Sequence, residues 1–180
     1  MQAERIVIKF IFLLTFLFVL NVVNGQTRDS TQSYVPETWK KFHIGIRAGT
    51  GIQKSFYFEA GLSLQKYVYE ARHGFMVSSF YTAFERTAGT SGEKPVYGVK
   101  AGAELINNGA GGAIEIKYLA NSEKEDVMIT PKYGFGLGFI NIMYGYNFST
   151  NKYPFSNIGK HQFSLVINTS ILFYHLKEKK

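Results

Sequence analysis

Seven charged residues stand inside runs of alternating character: Arg47, Glu59, Lys100, Glu104, Glu115, Lys117 and Lys132. Their immediate neighbours are mostly apolar, such as Ile46 and Ala48 around Arg47 or Ile114 and Ile116 around Glu115. In a strand this spacing puts charge on one face and hydrocarbon on the other, because successive side chains point to opposite sides. Four cations and three anions nearly cancel. Gathered in one interior, they would satisfy one another, which is the condition for burying charge. The chemistry they offer is therefore ion pairing, or the lining of a narrow ion path.

A catalytic reading would rest on His43, His73, His161 and His175. Acyl transfer needs a nucleophilic serine, a histidine base and an acid that orients it. The nearest local pair is His161 and Ser164, but a spacing of three puts them on opposite faces of a strand. His43 is placed to face inward near Glu59 and has no serine partner. No spacing suggests metal ligands, and without cysteine there is no thiolate site or disulfide. Gly109-Ala110-Gly111-Gly112 follows a turn and feeds a strand, so it lacks the helix that a dinucleotide loop requires. Neither a catalytic site, a cofactor nor a metal is expected.

The elements that carry these residues are strands. The plainest pair is Val127–Phe148, where Val127, Ile129, Tyr133, Phe135 and Leu137 oppose Met128, Thr130, Lys132, Gly134 and Gly136. The second half sets Ile140, Ile142, Tyr144, Tyr146 and Phe148 against Asn141, Met143, Gly145 and Asn147. Along the chain eight such runs are expected, at 42–49, 55–67, 74–85, 96–105, 113–120, 127–137, 140–148 and 161–174. The third mixes apolar and small residues on both faces, which leaves its facing open. Links after the second, fourth and sixth runs are short, with Asn107-Asn108-Gly109 a tight-turn signal. Those at 87–95, 121–126 and 150–160 are longer. Pro131 cannot donate to a ladder and is expected to mark a bulge or a strand end.

The 180 residues suit one domain. Only 18% are charged while 16% are aromatic, and mean hydropathy is close to zero. That excludes a bundle of membrane helices and fits strands whose oily residues are diluted by alternation. The net charge of +7 comes from scattered lysines and arginines, without the basic stripe of a nucleic-acid surface. Residues 1–25 read as a cleaved export signal, with Arg5 and Lys9 ahead of an apolar run and Val23-Asn24-Gly25 before the cut. Residues 26–40 read as a polar leader, 41–176 as the barrel and 177–180 as a charged tail.

Two barrels share this periodicity and differ in sign. A soluble lipocalin-like carrier hides its apolar face, whereas a membrane barrel turns it to lipid. Eight strands leave an interior only just wide enough for side chains. Large Phe and Tyr outside, with Gly and paired ions inside, fit that space better than the reverse. A charge on lipid costs roughly 2–4 kcal/mol at mid-bilayer, and the apolar faces carry none in their central spans. The expected fold is all-β, an eight-stranded antiparallel up-and-down transmembrane barrel.

The export signal, the aromatic-glycine alternation of Tyr133-Gly134-Phe135-Gly136-Leu137 and Tyr144-Gly145-Tyr146, and the last run at 161–174 carry a resemblance. The chain resembles the small eight-stranded outer-membrane barrels of Gram-negative bacteria, the OmpA/OmpX-like class. It departs from them where Phe173-Tyr174 is followed by His175-Leu176-Lys177-Glu178-Lys179-Lys180. The resemblance implies an outer-membrane location, contact with membrane lipid and lipopolysaccharide, and insertion by the barrel-assembly machinery. It implies a structural or surface-interaction role with a lumen filled by side chains. A narrow porin-like pore, a lipid A deacylase or acyltransferase, and the soluble carrier are the alternatives.

Overall fold

A computed structural model describes residues 42–70, 74–89 and 93–170. The proposed signal and leader, His73, His175 and the end of the last run lie outside the described residues. What is described is all-β: β1 Phe42–Glu70, β2 Gly74–Thr87, β3 Val96–Asn107, β4 Ala110–Ala120, β5 Glu125–Gly136, β6 Ile140–Tyr146, β7 Phe148–Ser149 and β8 Ile158–Asn168. Every pairing is antiparallel: β1 to β5 each pair with the next strand in the chain, β6 pairs onward with β8, and β7 pairs with β5. Because β1 also pairs with β8, the sheet closes into an up-and-down barrel.

The staves divide differently from the strand list. β1 pairs with β8 along residues 47–54 and with β2 along residues 57–70, so its two halves serve as consecutive staves. The corner is Lys54, a non-glycine residue at φ 81. The hydroxyl of Thr50 donates to the carbonyl of Tyr57 across the corner at 3.0 Å. β6 and β7 act as one stave, both pairing with β5. The expected runs correspond to these staves with shifted ends: β4 begins at Ala110 rather than Ala113, β5 at Glu125 rather than Val127 and β8 at Ile158 rather than His161, and β8 ends at Asn168.

Pro131 is neither a bulge nor a strand end. β5 continues through it, paired on its other side with Ile114. Lys132 faces Gly145 and Ile129 faces Phe148, so the register is the same on both sides of the proline. The partner stave breaks instead, at Asn147 between β6 and β7. Asn147 accepts from Thr130 Oγ1 at 2.7 Å and donates through Nδ2 to the Gly159 carbonyl at 2.8 Å. These side-chain bonds, with the Asn147 N–H donating to the Lys160 carbonyl at 2.7 Å, tie the break to β5 on one side and to β8 on the other.

One end of the barrel has tight turns. Asn108 (φ 50) and Gly109 (φ 89) form the two-residue hairpin that their identities favour, and Asn108 Oδ1 accepts from Phe75 N at 3.0 Å. At the other end longer loops are laced together. Asp126 accepts from Ser149 Oγ at 2.5 Å, Thr150 Oγ1 at 3.2 Å and Asn151 N at 3.0 Å. Lys94 reaches Glu123 at 2.7 Å.

The wall is inverted relative to a water-soluble domain. Phe58, Ile116, Phe135 and Ile142 point outward, and Phe135 is 71% exposed. Glu115, Lys117, Asn141 and Gln162 point inward with no exposed surface. The third run, whose facing the sequence leaves open, obeys the same rule: Ser79, Tyr81 and Glu85 face in, while Phe80 and Phe84 face out.

Candidate functional site

All seven charged residues singled out by spacing lie inside the barrel, and each is buried. They arrive from different staves: Arg47 and Glu59 from the two halves of β1, Lys100 and Glu104 from β3, Glu115 and Lys117 from β4, and Lys132 from β5. The alternation that turns their apolar neighbours outward is what turns these inward.

An eighth member completes the set. Glu85, from the strand of ambiguous facing, lies 2.8 Å from Lys100 Nζ and 3.8 Å from Lys117 Nζ. Lys100 also contacts Glu59, so one ammonium sits between two carboxylates. Glu115 receives Lys117 at 3.1 Å and Lys132 at 2.8 Å, and Tyr81 OH donates to it at 2.8 Å. Arg47 Nε donates to Glu59 at 2.9 Å, and its Nη1 stands 3.6 Å from Glu104. A continuous chain of ion pairs thus runs from Glu104 through Arg47, Glu59 and Lys100 to Glu85, Lys117, Glu115 and Lys132. With Glu85 counted, the four cations meet four anions, which is the neutrality a low-dielectric interior favours.

Neutral groups take up some of the remaining valences, although Arg47 Nη1, Glu104 Oε2, Glu115 Oε1 and Lys132 Nζ keep ion-pair contacts without hydrogen-bond geometry. Gln53 Nε2 donates to Glu85 at 2.6 Å, Asn141 Nδ2 to Glu104 at 2.5 Å, and Gln162 Nε2 to Tyr57 OH at 2.6 Å. Lys117 donates to Gln162. The Arg47 guanidinium lies 3.6 Å over the Tyr81 ring, and Lys100 5.1 Å from the Tyr57 centroid. Such faces attract cations away from water. Beyond the ions, apolar clusters occupy both ends of the interior. Val96, Leu119, Met128, Phe155 and Ile158 sit toward the loops, and Tyr67, Val77, Ile106 and Met143 toward the turns.

The catalytic pairing is not assembled. His161 is exposed on the outer wall, where Nδ1 lies 2.6 Å from Tyr144 OH. Ser164 is buried inside and donates to the Met143 carbonyl at 3.3 Å. Glu59, the acid considered for His43, is engaged by Arg47 and Lys100. Among the described residues, no three acidic or histidine side chains group as metal ligands.

Sequence reasoning missed Glu85, Tyr81 and the two apolar clusters. Alternation alone could have found Tyr81 and Glu85 once the facing of one residue in Gly74–Thr87 was known. Comparison with family models, with curated proteins and with solved structures returns no match, so the geometry carries the functional reading by itself.

Proposed function

We propose that the chain is an integral outer-membrane β-barrel protein whose lumen is filled by its own side chains, with a structural or surface-interaction role. The observation that carries this reading is the inverted wall: large apolar side chains cover the outside while eight ionisable groups are enclosed. In water that arrangement exposes far more contiguous hydrocarbon than soluble monomers carry. In lipid it places each group where its solvation is best. The staves suit a bilayer, since β2 to β5 and β8 run 11 to 14 residues, against about 9–11 needed by a tilted spanning strand. A closed barrel also leaves no open sheet edge in hydrocarbon.

Three features support a filled lumen over a porin-like path: the neutral ion network, the apolar cluster at each end, and the narrow bore of eight staves. On this reading the chain reaches the outer membrane of a Gram-negative cell by the export signal at 1–25. Its partners are the barrel-assembly machinery, membrane lipid and lipopolysaccharide. It performs no lipid A chemistry.

The test is membrane retention. The protein should stay with the membrane fraction after an alkaline wash and show heat-modifiable migration on gels. Release into the wash would return the soluble-carrier reading. Planar bilayers should remain silent, and a conductance that changes in Lys132→Glu or Arg47→Ala would overturn the filled lumen.

A further inference from the structure

The outer wall breaks its own pattern at one place, beneath the loop end where β1 meets β8. Ile52 faces Phe163, whereas Lys54 faces Ile158, so residues 52–54 of β1 are matched by residues 158–163 of β8. The surplus residues form a bulge in β8. Bulges re-aim side chains, and here both Lys160 and His161, adjacent in sequence, are exposed. Opposite the bulge stands Lys54, exposed and at φ 81, a left-handed conformation that is strained for a non-glycine residue. Two local departures from regular strand geometry therefore present three basic side chains on one patch.

The patch is cationic without internal compensation. Among the described residues, neither Lys54 nor Lys160 has a carboxylate within salt-bridge distance; the described carboxylates at the loop end are Glu93, Glu123, Glu125 and Asp126, and Asp126, the one against the β7–β8 link, is taken up by Ser149, Thr150 and Asn151. Aromatic groups hold two of the three basic side chains, Lys160 and His161, in place. Lys160 lies 5.6 Å from the Tyr153 ring, Tyr146 stands edge-on to His161 at 5.4 Å, and Tyr144 OH bonds His161 Nδ1. Directly below, Ile52, Phe163 and Leu165 continue the exposed apolar wall. Fixed cations above hydrocarbon, with aromatic rings at the boundary, match an amphiphile with a negative head and apolar tails.

We propose that Lys54, Lys160 and His161 form a seat for the phosphate of an anionic lipid headgroup, whose acyl chains lie along Ile52 and Phe163. The seat rests on the membrane reading, because only then does a lipid meet this wall. Phosphate is the matching group: three donors on two facing staves can surround its oxygens, and the ammonium groups supply point charges.

The test uses the full-length protein in dodecyl maltoside micelles, titrated with dimyristoyl phosphatidylglycerol and followed by native mass spectrometry. Phosphatidylcholine and inorganic phosphate are run as separate arms. Wild type should bind phosphatidylglycerol on the order of tenfold more tightly than Lys54→Gln/Lys160→Gln. Lys54→Arg/Lys160→Arg should bind like wild type. Phosphatidylcholine should not separate the proteins, and free phosphate should not displace the lipid. Lys160→Gln alone gives a readout that leaves the strained corner untouched, and it should already weaken binding. Equal phosphatidylglycerol affinity in wild type and both glutamine variants would overturn the seat, as would displacement by free phosphate. Alkaline retention measured on the same variants separates the two ideas: a retained protein without lipid preference refutes only the seat.

Discussion

Glu85 Oε2 lies 2.8 Å from Lys100 Nζ in the interior of the barrel, and both side chains are fully enclosed. The same ammonium contacts Glu59 and stands 4.0 Å from Glu115. Lys100 is thus the cation on which three carboxylates converge, and Glu85 is the anion that balances the interior.

Removing one partner leaves buried charge without compensation. Lys100→Met should lower unfolding free energy by roughly 3–5 kcal/mol, the usual cost of breaking a buried pair. Urea unfolding of the barrel in lipid vesicles measures it. Glu85→Gln should cost less than Lys100→Met, because Lys100 keeps Glu59. A double Glu85→Gln/Lys100→Met variant should lose less than the sum of the two single changes, which a double-mutant cycle reads directly.

Charge placed on the outer wall should cost according to depth. Ile116 is opposite Ala101 on one side and Ile129 on the other, midway along its stave. If the proposed membrane insertion holds, Ile116→Arg should destabilise the barrel by roughly 2–4 kcal/mol. Tyr97, at the loop end of β3, should tolerate arginine at roughly 0–1 kcal/mol. Folding titrations into vesicles distinguish this gradient from the flat response of a water-facing wall.

Much of this organisation was legible in the chain, for a physical reason. Where a stave alternates bulky apolar residues with Gly, Lys or Glu, as in Val127–Leu137, only one facing is plausible. Gly74–Thr87 resists that logic. Its inward side mixes Val77, Ser79, Ala83 and Glu85, and its outward side mixes Phe80, Thr82 and Arg86, so neither polarity nor size separates the faces. Glu85 was hidden for that reason. The β8 bulge was hidden because extra residues in a strand carry no compositional mark. The rule that a proline ends or bulges a strand concerns its own strand, whereas here the break falls on the partner stave at Asn147. The inward Met128 and Met143 share their strand faces with polar and glycine residues such as Thr130, Lys132, Asn141 and Gly145, and only closure of the barrel shows them as parts of apolar end clusters.

The corner at Lys54 should trade stability for recognition. Lys54→Gly relieves the left-handed conformation and should gain about 1 kcal/mol, offset in part by glycine's freedom in the unfolded chain. The same variant should lose phosphatidylglycerol affinity. A thermal melt in micelles reads the first effect and native mass spectrometry the second.

In the loops, the Lys94 ammonium donates to Glu123 and holds that carboxyl below the usual carboxylate range. A depressed folded-state value means that any contribution to folding is complete above the unfolded carboxylate pKa. It is lost as pH falls through the folded value. Both groups are solvated, so the loop contact, not global stability, should respond. In Lys94→Gln, the Glu123 titration followed by carbon NMR should move up toward the ordinary range.

The account stands or falls on which face meets lipid. Single cysteines at Phe135 and Lys132, introduced into the protein in native membranes, can be challenged with a water-soluble maleimide and with a lipid-partitioning one. Cysteine at 135 should react only with the lipid-partitioning reagent, and cysteine at 132 with neither until the barrel is unfolded. Rapid labelling of both positions by the water-soluble reagent would contradict the inverted barrel and the function inferred from it.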